Sequence, residues 1–311
     1  MNAAGRLTAY AAGLAIAFAG AFGIAAVAVP PSVVTGWEGK TDMNDRHTMA
    51  HEESSTAPAG LSASAGGYLL TDVSAPGTTG QPGDLDFRIH DEAGRPLLDY
   101  TASHDKDLHL IVVRSDGTHF RHVHPTLDRA TGTWSVPWRW DAAGTYRVYT
   151  DFTPAAGKDA ANVTLTSSVD VAGDLAPAAA PAVRTTSVVD GFSVALSGRL
   201  TAGTTGELTA TVTRDGRPVT ALEPYLGAYG HLVALRQGDL AYLHVHPQGA
   251  EPGPGDRGGP RIAFAAQAPT AGRYLLYLDF QVGGQVHTAT FVLDAARGGA
   301  GTTHDTDSHG H

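Results

Sequence analysis

From Leu7 to Val29 the chain is built of apolar and small residues; Arg6 precedes the run, and the next charge is Glu38. At 1.5 Å per helical residue such a run can cross a hydrocarbon core of about 30 Å. It predicts a transmembrane anchor over residues 1–34, with one flanking cation that directs the remainder outward. Ala26-Val27-Ala28 has the small-residue pattern of a cleavage site, so a removed signal peptide is the alternative. Beyond this run no segment keeps a helical period. Short stretches suited to strands lie near 67–73, 84–90, 107–114, 118–124, 132–140, 144–152 and 161–171. A second series lies near 192–199, 206–213, 230–236, 240–246, 261–266, 272–280 and 286–293. Turn signals such as Ser115-Asp-Gly117 and Asp215-Gly216 separate them. The pattern predicts an all-β chain of two tandem Ig-like or cupredoxin-like antiparallel β-sandwiches.

The two series repeat one another. Gly94-Arg95-Pro96 returns as Gly216-Arg217-Pro218, His109 as His231, and His122-Val123-His124-Pro125 as His244-Val245-His246-Pro247, all at one offset of 122 residues. Gly144-Thr-Tyr146 through Phe152 returns as Gly272-Arg-Tyr274 through Phe280, six residues further out of step, with the insertion in the loop EPGPGDRGGP. Tyr146 and Tyr274 each have the spacing of a tyrosine corner. Polar and Pro/Ala-rich stretches then set the boundaries: a flexible linker over 35–66, a first sandwich over 67–174, a Pro/Ala linker over 175–185, a second sandwich over 186–294, and a His-rich tail over 295–311.

Composition removes several classes of chemistry. The formal net charge of the 311 residues is −10, which argues against nucleic acid as a partner, since phosphate binding needs a basic surface. There is no cysteine, so disulfides, thiolate nucleophiles and thiolate metal sites are excluded together. No P-loop, dinucleotide fingerprint or nucleophile elbow is present, and the chain reads as a binding protein rather than an enzyme. The 15 histidines are the unusual feature.

Alternate residues of a strand face the same side, so His122 projects with His124, and His244 with His246. His109 and His231 lie on the preceding strands, and sequential strands usually pair. Each repeat thus offers three imidazoles to one ion: His109, His122 and His124 in the first, His231, His244 and His246 in the second. Asp151 and Asp279 are candidates for a fourth ligand or for an acceptor that orients a ligand histidine. Without thiolates the set suits Cu(II), with zinc as the alternative. His47 and His51, with Met43 and Met49, and His304, His309 and His311 add metal-prone segments outside the sandwiches. His90, His104, His119 and His287 have no counterpart in the other repeat and read as incidental.

Pro224 to Gly230 with His231, Tyr242-Leu-His-Val-His-Pro247, Ala271-Gly-Arg-Tyr274 and Val286-His-Thr-Ala289 resemble the YtkA-like family of exported β-sandwich domains. The first repeat is similar but carries Tyr100 to Asp107 in place of the Tyr-Leu-Gly-Ala stretch and lacks a counterpart of His287. The resemblance covers roughly residues 67–294 and implies an exported Ig-like module associated with copper or heavy-metal handling. Together these readings predict a membrane-tethered extracytoplasmic protein that captures or buffers copper or zinc. A display module with structural histidines, or a two-copper redox enzyme, are the competing readings.

Overall fold

The computed structural model describes residues 59–157, 160–243, 245–253 and 255–298. The apolar run Leu7–Val29, His244 and the tail histidines lie outside the described residues. Among the described residues no helix is long and apolar enough to cross a membrane.

The first sandwich comprises β1 (Ser64–Ala65), β2 (Tyr68–Ser74), β3 (Gly83–Asp91), β4 (Tyr100–Thr101), β5 (Leu108–Arg114), β6 (Arg121–Val123), β7 (Thr126–Asp128), β8 (Thr133–Trp138), β9 (Gly144–Pro154) and β10 (Val163–Val171). One sheet runs β1-β2-β3-β8-β7; the other runs β10-β9-β5-β6, with β4 on β9. The second comprises β11 (Thr186–Val189), β12 (Phe192–Gly198), β13 (Leu200–Thr201), β14 (Thr205–Arg214), β15 (Arg217–Pro218), β16 (His231–Arg236), β17 (Tyr242–Leu243), β18 (Val245–Pro247), β19 (Arg261–Gln267), β20 (Gly272–Val282) and β21 (Gln285–Ala296). Its sheets run β11-β12-β14-β19-β18, with β15 on β14, and β13-β21-β20-β16-β17. Pairing is antiparallel except between β13 and β21.

Burial patterns show which faces are covered. In β3, Leu85, Phe87 and Ile89 are buried while Asp84, Asp86 and Arg88 are at least partly open, as expected for a strand with one face on the core. In β5 all seven residues are buried. Leu108, Leu110 and Val112 face the first core with Trp134, Val148 and Phe152. The opposite face of β5 holds Ile111 and Val113, which join Tyr149 of β9 in one apolar cluster with Val233, Leu235, Leu275, Tyr277 and Val292 of the second sandwich. The β5 sheet of one sandwich therefore packs on the β16 sheet of the other, and both sandwiches lie within one compact unit, Thr56–His311. Burying an aliphatic side chain of this size stabilises by about 1.5–3 kcal/mol, so these residues join the two repeats rather than merely linking them.

Polar contacts at this interface follow the repeat. The Tyr149 hydroxyl donates to Leu240 O at 2.7 Å, and its counterpart Tyr277 donates to Gly117 O at 2.6 Å. Phe120 stacks on Tyr277 with centroids 4.0 Å apart. The 175–185 linker is held in place. Asp116, paired with buried Arg114, accepts from Ala178 N at 2.9 Å, and Arg114 donates to Ala176 O at 3.1 Å. Burial acts to raise the Asp116 carboxyl, but the guanidinium and the donated N–H groups hold it far below the usual carboxylate range. Both tyrosine corners form: Tyr146 donates to Ala142 O and Tyr274 to Thr270 O, each at 2.9 Å.

Candidate metal centre between the sandwiches

The β5–β6 hairpin sets the first histidines. Its register pairs Leu110 with Val123 and Ile111 with His122. Carried one step further, it places His124 opposite His109, with His122 diagonal to it on the same face. The ring nitrogens meet: His109 Nδ1 lies 3.0 Å from His122 Nε2 and 3.2 Å from His124 Nε2. All three ligand atoms lie within 4.8 Å of one another, a set that could hold a metal ion. Bonds of about 2.0–2.1 Å to a common ion put nitrogens roughly 3–3.5 Å apart, which the two short pairs match.

Outer hydrogen bonds decide which nitrogens carry protons. His109 Nε2 is 3.0 Å from Ser103 O, an acceptor only, so Nε2 holds the hydrogen and Nδ1 keeps its lone pair. His122 Nδ1 is 3.0 Å from Asp279 Oδ2, so that nitrogen holds the hydrogen and Nε2 keeps its lone pair. With a single hydrogen on each ring, two lone pairs would confront each other at 3.0 Å. His124 could donate to one of them but not close the gap between His109 and His122. A second ring hydrogen on His109 or His124 is opposed: burial, then the neighbouring His122, lowers His109 to about 4, and burial with both neighbours lowers His124 to about 2. A cation coordinated by the three nitrogens would relieve this conflict, as would a hydrogen on His122 Nε2 shared with His109 Nδ1.

The buttress comes from the other repeat. Asp279 belongs to β20, next to His231 in register, yet it accepts from His122 of the first sandwich. Thr288 Oγ1 donates to its second oxygen at 2.6 Å, which fixes the carboxylate. Asp151 is placed in the same way, paired with His109 and accepting from Thr164 at 2.8 Å. Of the two roles open to Asp279 on sequence grounds, the geometry is that of an acceptor orienting a histidine, but across the repeat boundary.

The second set is arranged differently. His231 is buried like its counterpart, and its Nε2 is 2.7 Å from Tyr225 O, the repeat equivalent of Ser103 O. Burial lowers it to about 3. The register of β16 with β17 ends at Ala234–Leu243, and Val245–Pro247 joins the outer sheet on β19, where His246 is exposed opposite Ala265. His231 instead looks toward the first set: its ring lies 6.3 Å from His109 and 6.2 Å from His122. Among the described residues, His231 therefore stands beside the first set, because the histidine-bearing faces of β5 and β16 are the faces that pack together; His244, the remaining member of the second set, lies outside them.

His104 corrects the reading that it is incidental. It lies 5.0 Å from His231 and 6.2 Å from His109, ring to ring. With His109, His122, His231, His246 and Asp151 it lines a cavity of about 290 Å³. Absence from the other repeat hid it; its place in the loop before β5 was the available signal. His287 is structural, held by Asp190 at 2.7 Å and packed against Phe192 and Phe280.

The model of a family described as a domain of unknown function (DUF8832) matches residues 63–169 and again 186–297. The chain belongs to this family, with two copies in tandem. No curated protein matches it. Among solved structures, domains 4 and 5 of the S-layer protein SbsC align at 8% identity over 68% of this chain and 82% of that chain, with a TM-score of 0.22. A Salmonella alpha-2-macroglobulin mutant aligns at 14% identity over 81% of this chain and 16% of that one, with a TM-score of 0.24. Invasin, a bacterial integrin-binding protein, aligns at 11% identity over 73% and 39%, with a TM-score of 0.21.

Proposed function

We propose that this is an exported, membrane-tethered metal-binding protein that captures or buffers Cu(II), with zinc as the alternative, through His109, His122 and His124. The observation that carries the reading is the convergence of His109 Nδ1, His122 Nε2 and His124 Nε2, with the outer nitrogens of His109 and His122 held by Ser103 O and Asp279. With one hydrogen on each ring the facing nitrogens of His109 and His122 lack a donor between them, a buried mismatch that costs on the order of 1–3 kcal/mol and that a bound cation relieves. Three imidazoles without thiolate favour borderline cations, and the affinity order places Cu(II) above zinc. Export and tethering are supported by the Leu7–Val29 run after Arg6, and copper by the resemblance to YtkA-like domains. The role proposed is binding, not turnover.

The test uses the full chain with His47, His51, His304, His309 and His311 replaced by Ser, so that only histidines of the sandwiches report. Thermal unfolding is followed with and without Cu(II) or Zn(II). At a hundredfold excess over Kd the metal should stabilise by about 2.7 kcal/mol. His122→Ala with His124→Ala should remove most of that gain. A melting temperature indifferent to both metals at neutral pH would defeat the proposal.

A further inference from the structure

We infer that the cavity between the sandwiches holds a second metal ion, bound by His231 and His104 with His246 at its rim, so that the centre is dinuclear and spans both repeats. This rests on the metal-binding reading of the His109 set and deepens it. The first observation is tautomeric. His231 repeats His109 in its outer bond, with Nε2 on Tyr225 O as His109 Nε2 is on Ser103 O, so its Nδ1 also keeps a lone pair. The His109 lone pair is used by the first set; the His231 one is not.

The second observation is spacing. The ring centroids of the first set lie 5.2, 5.0 and 4.9 Å apart. His104 and His231, from opposite sandwiches, lie 5.0 Å apart at 78°, an edge-to-face contact that brings an imidazole of each repeat to the same cavity. Both line the 290 Å³ cavity, as do His109 and His122, so the second position is next to the first without competing for its nitrogens. The third is the asymmetry of the repeat. His104 and its counterpart Leu226 both hold left-handed backbone, with φ of 52° and 54°. The loop conformation is common to both repeats, and only the first places an imidazole there. His246 lines the same cavity from β18.

A pair of imidazoles with a third at the rim leaves coordination positions open to water, in line with a site that loads and releases its ion. The first position is pre-assembled with nitrogens at 3.0 and 3.2 Å, and the second closes on the ion.

The experiment is Cu(II) titration of the full chain bearing the five terminal His→Ser replacements, with bound copper counted by elemental analysis and the spin state read by electron paramagnetic resonance. Two ions per chain with a half-field signal from coupled copper pairs is the expected result. His104→Leu, which copies the residue of the second repeat, should bind one ion and lose the half-field signal while keeping the first-site spectrum. His122→Ala with His124→Ala should also abolish the coupling. One ion per chain in the parent protein would overturn the second position and leave the first standing. No bound ion would sink both readings. Two ions with unchanged coupling in His104→Leu would overturn the ligand assignment, and the parent's own count and spectrum decide the matter if that variant misfolds.

Discussion

Asp279 of the second sandwich accepts a hydrogen bond at 3.0 Å from Nδ1 of His122 in the first, with both side chains almost wholly buried. That bond makes the first histidine set dependent on the second repeat. It sets the His122 ring plane, and it ties the geometry of the histidine set to a residue 157 positions away in sequence.

Asp279→Ala should therefore weaken Cu(II) or Zn(II) binding by about 10–100-fold, the usual loss when a ligand histidine is deprived of its acceptor. Asp279→Asn retains an oxygen and should lose less. Isothermal titration of the protein with its terminal histidines replaced checks both. Equal affinity in the parent and in Asp279→Ala would show that the bond does not prepare a ligand.

Stability of the metal-free protein should fall on acidification. His109, His231 and His124 have folded values lowered to about 4, 3 and 2, so between pH 6.5 and 4 the unfolded chain binds protons that the folded chain refuses. Each such group makes unfolding easier by up to about 1.4 kcal/mol per pH unit, a loss that begins near the unfolded value of 6.5. Urea midpoints at pH 7.5, 6 and 5 should drop in the parent and drop less in His231→Gln. Parallel curves for the two would remove His231 as a contributor.

Gly117 separates backbone strain from interface packing. Its φ is +80°, and a Cβ there would meet Leu275 Cδ1 of the other sandwich at 2.2 Å. Gly216 has φ +72° with nothing within 4 Å. Gly216→Ala should cost about 1–2 kcal/mol from the left-handed conformation alone. Gly117→Ala adds a steric clash and should cost about 1–3 kcal/mol more. Differential scanning of both variants measures the gap; equal costs would mean that the interface yields without resistance.

Tyr277→Phe deletes the 2.6 Å bond to Gly117 O and leaves that carbonyl without its hydroxyl donor, while the ring keeps its stack on Phe120. A loss of about 1–3 kcal/mol is expected, together with weaker metal binding because the same interface carries Asp279. Normal metal affinity at reduced stability would place Tyr277 in structure alone.

Much of this architecture is local and was therefore legible. Alternation in β3, the turn at Ser115-Asp-Gly117 and the corners at Tyr146 and Tyr274 follow from backbone geometry within a few residues, and the strands lie close to where the apolar pattern places them. The meeting of His109, His122 and His124 was legible for the same reason: strand parity and one hairpin register are short-range facts. Every residue of β5 is buried, but what covers its second face is not a local matter. Only the tertiary structure decided that the covering layer is the β16 sheet, that Asp279 serves His122 rather than its own repeat, and that His104 meets His231. Those contacts join positions 157 and 127 residues apart, and nothing in local geometry selects one distant partner over another. The choice is made by the apolar faces of the two repeats, which leave water by packing on each other and carry the histidines with them.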